Sequence, residues 1–324
     1  VDVGRGLLEA LGVGAEVGPG DVAARGNYCT LDAAGRLVDR RAGRIATEES
    51  RPITASLGAA LRAVEDVKVE VHAGLQHRFS CVFRGPGLSS RVADTDPQDV
   101  GVPPLPPRPL DPSAAKTARV AEALVAAARR VLGKRDRANA VLLRGFSGRP
   151  TLPTLAELAR LRACAVAAYP AYRGVARLLG MEIVDGVGPT STIADEVGAL
   201  ENAWTRGFDF FFLHVKGTDS AGEDGDEARK AGVIEAFDKE LPRLRALRPD
   251  ALVITGDHST PGPMAGHSWH AVPSLVWGPW CEPDGLSPFD EAQCRRGSLG
   301  SSLPATALLR LALANAGKLA KYGA

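Results

Sequence analysis

At 324 residues, with 45% apolar and 24% charged side chains, the chain is long enough for two domains and too apolar to be disordered. Its 39 basic and 38 acidic residues leave a net charge of +1. That balance argues against a nucleic-acid or membrane-surface partner and leaves anion binding to local clusters. Cys29, Cys81, Cys164, Cys281 and Cys294 are odd in number and widely spaced, with no CxxC pair. They argue against a disulfide framework or structural zinc and fit a reducing cytoplasm. No stretch approaches the roughly 18 consecutive apolar residues of a membrane span. The opening VDVGRGLLEA lacks the basic-then-apolar pattern of an export signal, and Val1 is expected of a fragment or of a start assigned at an internal valine codon.

In chain order, Gly6 to Leu11 reads as a short helix followed by a glycine-rich turn. GDVAARGNYCTLDAAGRLVDRR alternates on both sides of Asp32-Ala33-Ala34-Gly35, the pattern of a hairpin. ITASLGAALRAV carries apolar residues at helical spacing, and VKVEVHAG and HRFSCVFRG alternate as two antiparallel strands. GVPPLPPRPLDPS is too rich in proline for helix or central strand and is expected to be a linker or extended loop. Residues 114–133 form the clearest helix, with Ser113 as its expected cap, and ANAVLLRG gives one more strand.

From about residue 150 the pattern becomes strand, helix, strand, helix. ACAVAAY, DFFFLHVKG, ALVITGDH and SLVWGP read as strands. AYRGVARLLG, TSTIADEVGALENAW and EARKAGVIEAFDKELPRLRAL read as helices. Strands that are apolar throughout, separated by amphipathic helices, predict an α/β fold with a mainly parallel sheet covered on both faces. Functional residues in such folds gather beyond the carboxyl ends of the strands.

Two of those strand ends carry the most distinctive chemistry. KGTDSAGEDGDEARK follows DFFFLHV, and GDHSTPGPMAGHSWH follows ALVIT. These segments, expected to be loops, bring Asp219, Glu223, Asp224, Asp226, Asp257, His258, His267 and His270 to one sheet edge. Clustered carboxylates and imidazoles are what hard and borderline divalent ions require. Either segment alone would pass for a solvated loop, but the two at successive strand ends point to a metal site.

The ordered series GDVAARGNYCTLD, DRRAGRI, HRFSCVFRGPGLS, DTDP, NAVLLRG, AYPAYRGVARLLGM, HVKGTDSAGEDGD and ITGDHSTP followed by GHS resembles the archaeal-type cofactor-independent phosphoglycerate mutases of the alkaline phosphatase superfamily. The resemblance covers almost the whole chain. It implies an alkaline-phosphatase-like core from residues 1–14 and 150–324, with an inserted α+β cap from residues 15–149. It implies two divalent metal ions, commonly manganese, with magnesium or zinc as alternatives, and no 2,3-bisphosphoglycerate cofactor. Transferred by position, Asp257 and His258 match ligands of one metal, and Asp219 and His267 match ligands of the other. Glu223 stands where the family often has histidine; a carboxylate there still ligates and favours harder ions. His270 matches no family ligand, which leaves it a supporting or surface role.

The resemblance further implies transfer of phosphate from 3-phosphoglycerate to a serine and back to the 2-hydroxyl, an isomerase step of glycolysis and gluconeogenesis in the cytoplasm. That serine and a first metal-binding Asp precede the segment matching Gly4 to Gly12, and no serine of this chain occupies the motif. On this expectation residues 1–324 leave a sheet edge unpaired and fold poorly. The doubly anionic substrate calls for guanidinium groups. By the family pattern these are Arg25, Arg44, Arg84, Arg91 and Arg173, with Lys216 at the metal loop, while His77 and Asp94 are expected to make structural hydrogen bonds. Two alternatives remain open from sequence: a metal-dependent phosphatase or phosphonate-processing homologue, and an inactive anion-binding fragment. An oligomer is also open.

Overall fold

The computed structural model describes residues 3–319. In chain order the principal elements are α1 (Arg5–Gly12), β1 (Val22–Leu31), β2 (Leu37–Asp39), α2 (Thr47–Ala60), β3 (Ala63–Val64), β4 (Val67–Ala73), β5 (Arg78–Arg84), α3 (Ala115–Leu132) and β6 (Ala140–Gly148). They continue with α4 (Leu155–Ala159), β7 (Ala163–Ala167), α5 (Pro170–Leu178), β8 (Glu182–Ile183), α6 (Ile193–Trp204), β9 (Phe210–His214), α7 (Gly217–Glu223), α8 (Glu227–Ala246), β10 (Leu252–Thr255), β11 (Ser274–Trp277), α9 (Glu291–Cys294) and α10 (Thr306–Asn315). The chain divides into two compact units. The first runs to Pro189 and includes Gly207–His214; the second comprises Thr190–Arg206 and the chain from Val215 onward.

The first unit contains a six-stranded antiparallel sheet in the order β2-β1-β5-β4-β3, with β6 also paired to β1. Alternation along β1 sorts its side chains by face. Ala24 and Tyr28 join Phe79, Cys81 and Phe83 in a core with Leu57 of α2 and Leu124 of α3. Ala23 and Val82 pack on the other face against Leu7, Ala10 and Leu11 of α1. The expected hairpin forms at Asp32, whose carboxylate accepts from the backbone N–H groups of Ala34 and Arg36. A second, parallel sheet runs β8-β7-β9.

The second unit holds the antiparallel pair β10-β11 with α6 to α10. Both α4 and α6 open on capping boxes, Thr154 with Glu157 and Thr192 with Asp195, which satisfy otherwise orphaned amide donors. The boundaries differ from the sequence reading in three places. The helix read from ITASLGAALRAV starts earlier, at Thr47, because Glu48 and Glu49 suit its positive amino end, and it stops at Ala60. Ser113 is not the cap of the clearest helix: the Asp111 carboxylate accepts from Ser113 in a 3-10 turn that leads into α3. The acidic segment after β9 is helical as α7 rather than a loop.

Two glycines set how closely α1 and α5 approach. A Cβ at Gly12 would lie 1.9 Å from the Pro170 carbonyl oxygen, and one at Gly174 would lie 2.0 Å from the Leu8 carbonyl oxygen. Backbone meets backbone at both points, so no side chain can yield. Gly174→Ala is therefore expected to destabilise the protein by about 3 kcal/mol through overpacking. Gly232, inside α8 with nothing near its missing Cβ, is the contrast. Gly232→Ala is expected to stabilise by about 0.5–1 kcal/mol, and urea unfolding of both variants reads the two signs.

Candidate active site

Asp219 and Glu223 lie four residues apart on α7, which places both carboxylates on one helix face. His258 follows β10, and His267 follows the short turn after it. Single ligand atoms of Asp219, His258 and His267 all come within 4.8 Å of one another. His267 Nε2 lies 3.4 Å from Asp219 Oδ1 and 3.6 Å from Glu223 Oε1. His258 Nε2 lies 3.9 Å from Asp219 Oδ1 and 3.5 Å from Asp257 Oδ2. All five residues expected to bind metal therefore meet in the second unit, with Asp219 the most enclosed and His267 and Glu223 open to solvent.

Thr260 fixes the chemistry of this cluster. Its hydroxyl donates to Asp219 Oδ1 at 2.7 Å and sits 3.1 Å from His258 Nδ1. A hydroxyl that donates to the carboxylate is left to accept, so His258 carries its proton on Nδ1 and presents a bare Nε2 lone pair. That lone pair faces two carboxylates, an arrangement that a cation relieves. Lys216 already places its ammonium on Asp219 Oδ2. Burial pushes the Asp219 carboxyl up, but hydrogen bonds from Lys216 and Thr260 and the nearby charge of Lys216 outweigh it. The net shift is downward, toward the ionised form. The donor set of imidazole and carboxylate fits a divalent metal. His270 stands apart, bonded to Ser268 and stacked on the exposed Trp269.

The expected anion-binding residues do not converge in one place. Arg25 is buried on β1, with the Glu9 carboxylate of α1 at 3.8 Å. Arg173, near the start of α5, has a buried Nε with no hydrogen-bond partner. Arg84 is engaged by Asp21, Glu70 and the Glu16 carbonyl, and Arg91 is exposed and pairs with Asp111. Arg44 is exposed, at a left-handed backbone position. Lys216 turns onto Asp219 in the metal cluster. Asp94 accepts from the Gly145 amide, whereas His77 Nδ1 is buried without a partner.

The profile of the 2,3-bisphosphoglycerate-independent phosphoglycerate mutases matches residues 1–137. A relative from Thermotoga neapolitana, named a probable 2,3-bisphosphoglycerate-independent phosphoglycerate mutase, is 48% identical over 99% of this chain and 79% of its own. One from Thermus thermophilus with the same name is 47% identical over 99% and 79%. The chain belongs to the 2,3-bisphosphoglycerate-independent phosphoglycerate mutase family. Among solved structures, the cofactor-independent phosphoglycerate mutase of Thermoplasma acidophilum superposes with a TM-score of 0.67 at 29% identity, covering 97% of this chain and 82% of that one. A Pyrococcus horikoshii protein shares the fold with a TM-score of 0.77 at 24% identity, covering 99% and 80%. The α/β, alkaline-phosphatase-like class expected from sequence is thus the fold of this mutase-family chain.

Sequence reasoning on this mutase-family chain missed Glu9, Thr260 and the polar run on β1 and β5. Arg25 and Asn27 are polar residues two apart in an otherwise apolar strand, a visible irregularity in alternation. Thr260, two residues beyond the Asp257-His258 pair, carries no sequence signal of its role.

His77 supplies a pH test of this part of the family fold. Burial, and then the guanidinium charges of Arg78, Arg41, Arg25 and Arg44, push its pKa down from 6.5 to about 3. Below pH 6.5 the unfolded chain takes up a proton that the folded chain refuses, so stability falls as pH falls from 6.5 toward 3. Between pH 6.5 and 5 wild type is expected to lose about 2 kcal/mol more than His77→Gln. Urea unfolding of both proteins across that range is the measurement.

Proposed function

We propose that the chain is a cofactor-independent phosphoglycerate mutase that interconverts 3-phosphoglycerate and 2-phosphoglycerate through a phosphoserine, with two divalent ions and no 2,3-bisphosphoglycerate. The observation that carries this reading is the convergence of Asp219, His258 and His267 within 4.8 Å, in a chain 48% identical to a relative of that name. Asp257 and His258 would hold one ion, and Asp219, Glu223 and His267 the other. Bound there, the ions supply Lewis-acid charge for the phosphoryl oxygens and the attacking hydroxyl.

The chain's own residues prepare that chemistry. Thr260 holds His258 with its Nε2 bare and Asp219 with one oxygen fixed. Lys216 keeps Asp219 ionised by a hydrogen bond that the carboxylate accepts. Mixed carboxylate and imidazole donors suit manganese, with magnesium or zinc as competitors. Arg25 and Arg173 are the proposed guanidiniums for the anionic substrate, with Arg44, Arg84, Arg91 and Lys216 as the further set. Of these, Arg84 and Arg91 would have to leave carboxylates that they now pair with. A cap closed over the reacting groups keeps water from taking the phosphoryl group, which separates a mutase from a phosphatase. The division proposed for that role is a cap from residues 15–149 inserted in a core from residues 1–14 and 150–324. A cytoplasmic setting agrees with the free cysteines and with the absence, among the described residues, of a helix long and apolar enough to cross a membrane.

Two measurements test the reading. Coupled conversion of 3-phosphoglycerate with Mn2+, and without 2,3-bisphosphoglycerate, is run on the 324-residue chain. It is repeated on a form extended by the residues that the Thermotoga relative carries outside the matched segment. Isomerisation by either is the expected result, and phosphate release without isomerisation in both, or silence in both, overturns it. Separately, Thr260→Val is expected to weaken Mn2+ binding about 10–100-fold, as loss of a group that orients ligands does. Titration calorimetry reads that loss independently of turnover.

A further inference from the structure

Residues 101–110, GVPPLPPRPL, run between β5 and α3 without helix or strand, apart from a single bridge from Pro109 to Val92. Proline fixes its own φ at about −65° and drives the residue before it to extended or polyproline backbone. With prolines at 103, 104, 106, 107 and 109, every residue from 102 to 109 is either a proline or the residue before one. Polyproline II, with three residues per turn, is the conformation such a run holds. One edge of its backbone is pinned to the first unit. The Leu37 N–H donates to the Val102 carbonyl, the Leu105 N–H to the Thr95 carbonyl and the Ala93 N–H to the Arg108 carbonyl, each at 2.9 Å.

Burial follows the same period of three. Pro104 and Pro107 are half-buried, while Val102, Pro103, Leu105, Pro106 and Arg108 are all exposed. One face of the helix therefore rests on the protein and the other two stand in water. The outward faces carry two Xaa-Pro pairs one turn apart, Val102-Pro103 and Leu105-Pro106, and then a cation two residues further on. A single exposed aliphatic residue needs no explanation. Here Val102 is 37% and Leu105 49% exposed, at matching places in successive turns, on a backbone too stiff to tuck them in. The Arg108 guanidinium has no ion pair or hydrogen bond among the described residues, whereas nearby Arg91 pairs with Asp111.

We propose that residues 102–108 are a docking strip for a protein domain that takes polyproline II in an aromatic-lined groove and sets an acidic side chain beside it for Arg108. Such grooves accept Xaa-Pro pairs at a spacing of three, and both pairs here present themselves together. Because the strip holds its bound conformation before contact, little ordering entropy is lost on binding. Arg108 lies beyond only one end of the paired prolines, so an acidic partner there fixes the direction in which the strip is read. A nucleic acid would call for several cations, and the strip offers one. The surface lies wholly in the first unit and does not depend on the mutase reading.

The probe is a purified SH3 domain that selects Pro-x-x-Pro-x-Arg ligands, titrated by calorimetry into the 324-residue chain and into the free peptide GVPPLPPRPL. A form of the domain with a groove aromatic replaced by alanine is the control. The chain is expected to bind the intact domain at least as tightly as the peptide does and to ignore the control. Arg108→Glu is expected to weaken binding about tenfold or more, the scale of a charge-assisted hydrogen bond, in chain and peptide alike, which separates lost contact from lost folding. In the chain, Pro103→Ala with Pro106→Ala is expected to cost a similar factor. Pro104→Ala with Pro107→Ala, on the face turned to the protein, is expected to cost less than about threefold, since that face stays out of the groove. The proposal is overturned if neither chain nor peptide binds, if the peptide binds and the chain does not, if the control domain binds equally, or if Arg108→Glu changes nothing. Equal losses from the two proline pairs in the chain overturn it as well. Sedimentation of the chain alone covers the remaining occupant: a dimer that Arg108→Glu dissociates would give the strip to a second copy and overturn the proposal.

Discussion

A strand paired along both edges cannot slip, because a shift of one residue would exchange its two faces. β1 is such a strand: it hydrogen-bonds β5 on one side and β6 on the other, and β2 at its far end. Its alternation decides two things at once. Tyr28 and Ala24 enter the core with α2 and α3, while Ala23, Arg25 and Asn27 turn to α1. A slip would put Arg25 among Phe79 and Phe83 and take Tyr28 out of that core, where its hydroxyl bonds Thr54. The polar face is therefore held by the same register that holds the core, and the face can keep unsatisfied groups because the core on the other side keeps the strand in place.

The second unit solves a different problem by a local device. Two carboxylates stand four positions apart on α7, and one threonine hydroxyl both donates to Asp219 and accepts from His258. The helix sets the spacing, and the hydroxyl sets the tautomer. A carboxylate this enclosed would drift toward its neutral form by burial alone. Lys216 and Thr260 reverse that drift, so the cluster keeps its negative charge.

Much of this was legible beforehand, and the exceptions have physical causes. Period-two alternation in VKVEVHAG and HRFSCVFRG identified β4 and β5, and continuous apolar runs identified β7, β9 and β10. The helices over Pro170–Leu178 and Glu227–Ala246 followed from spacing alone. α7 was hidden because GTDSAGEDGDE has the composition of a loop, and a helix of 7 residues has too few turns to show a period. Ser113 was misread as the cap of α3 because it is a capping residue type just before the helix, whereas Asp111 caps a 3-10 turn there and α3 follows from Ala114 with no side-chain cap. The metal-type residues stood out because carboxylate and histidine clustered at two strand ends. The arginines were less readable: a guanidinium looks the same in sequence whether it is spent on a neighbour, as Arg84 is on Asp21, or left unpaired at Nε, as Arg173 is.

The two units are unbalanced in opposite senses. Asp219, Glu223 and Asp257 gather around two imidazoles with Lys216 as the cation in contact, so the second unit is short of positive charge. On the first, Arg25 and Arg78 share Glu9 without hydrogen-bonding it, so that face is short of negative charge. Burial amplifies the deficit on the first unit's face, where Arg25 and Glu9 are buried, since charges removed from water are screened less. Neither can be relieved by a neutral ligand. Divalent cations answer the first deficit, and an anion answers the second.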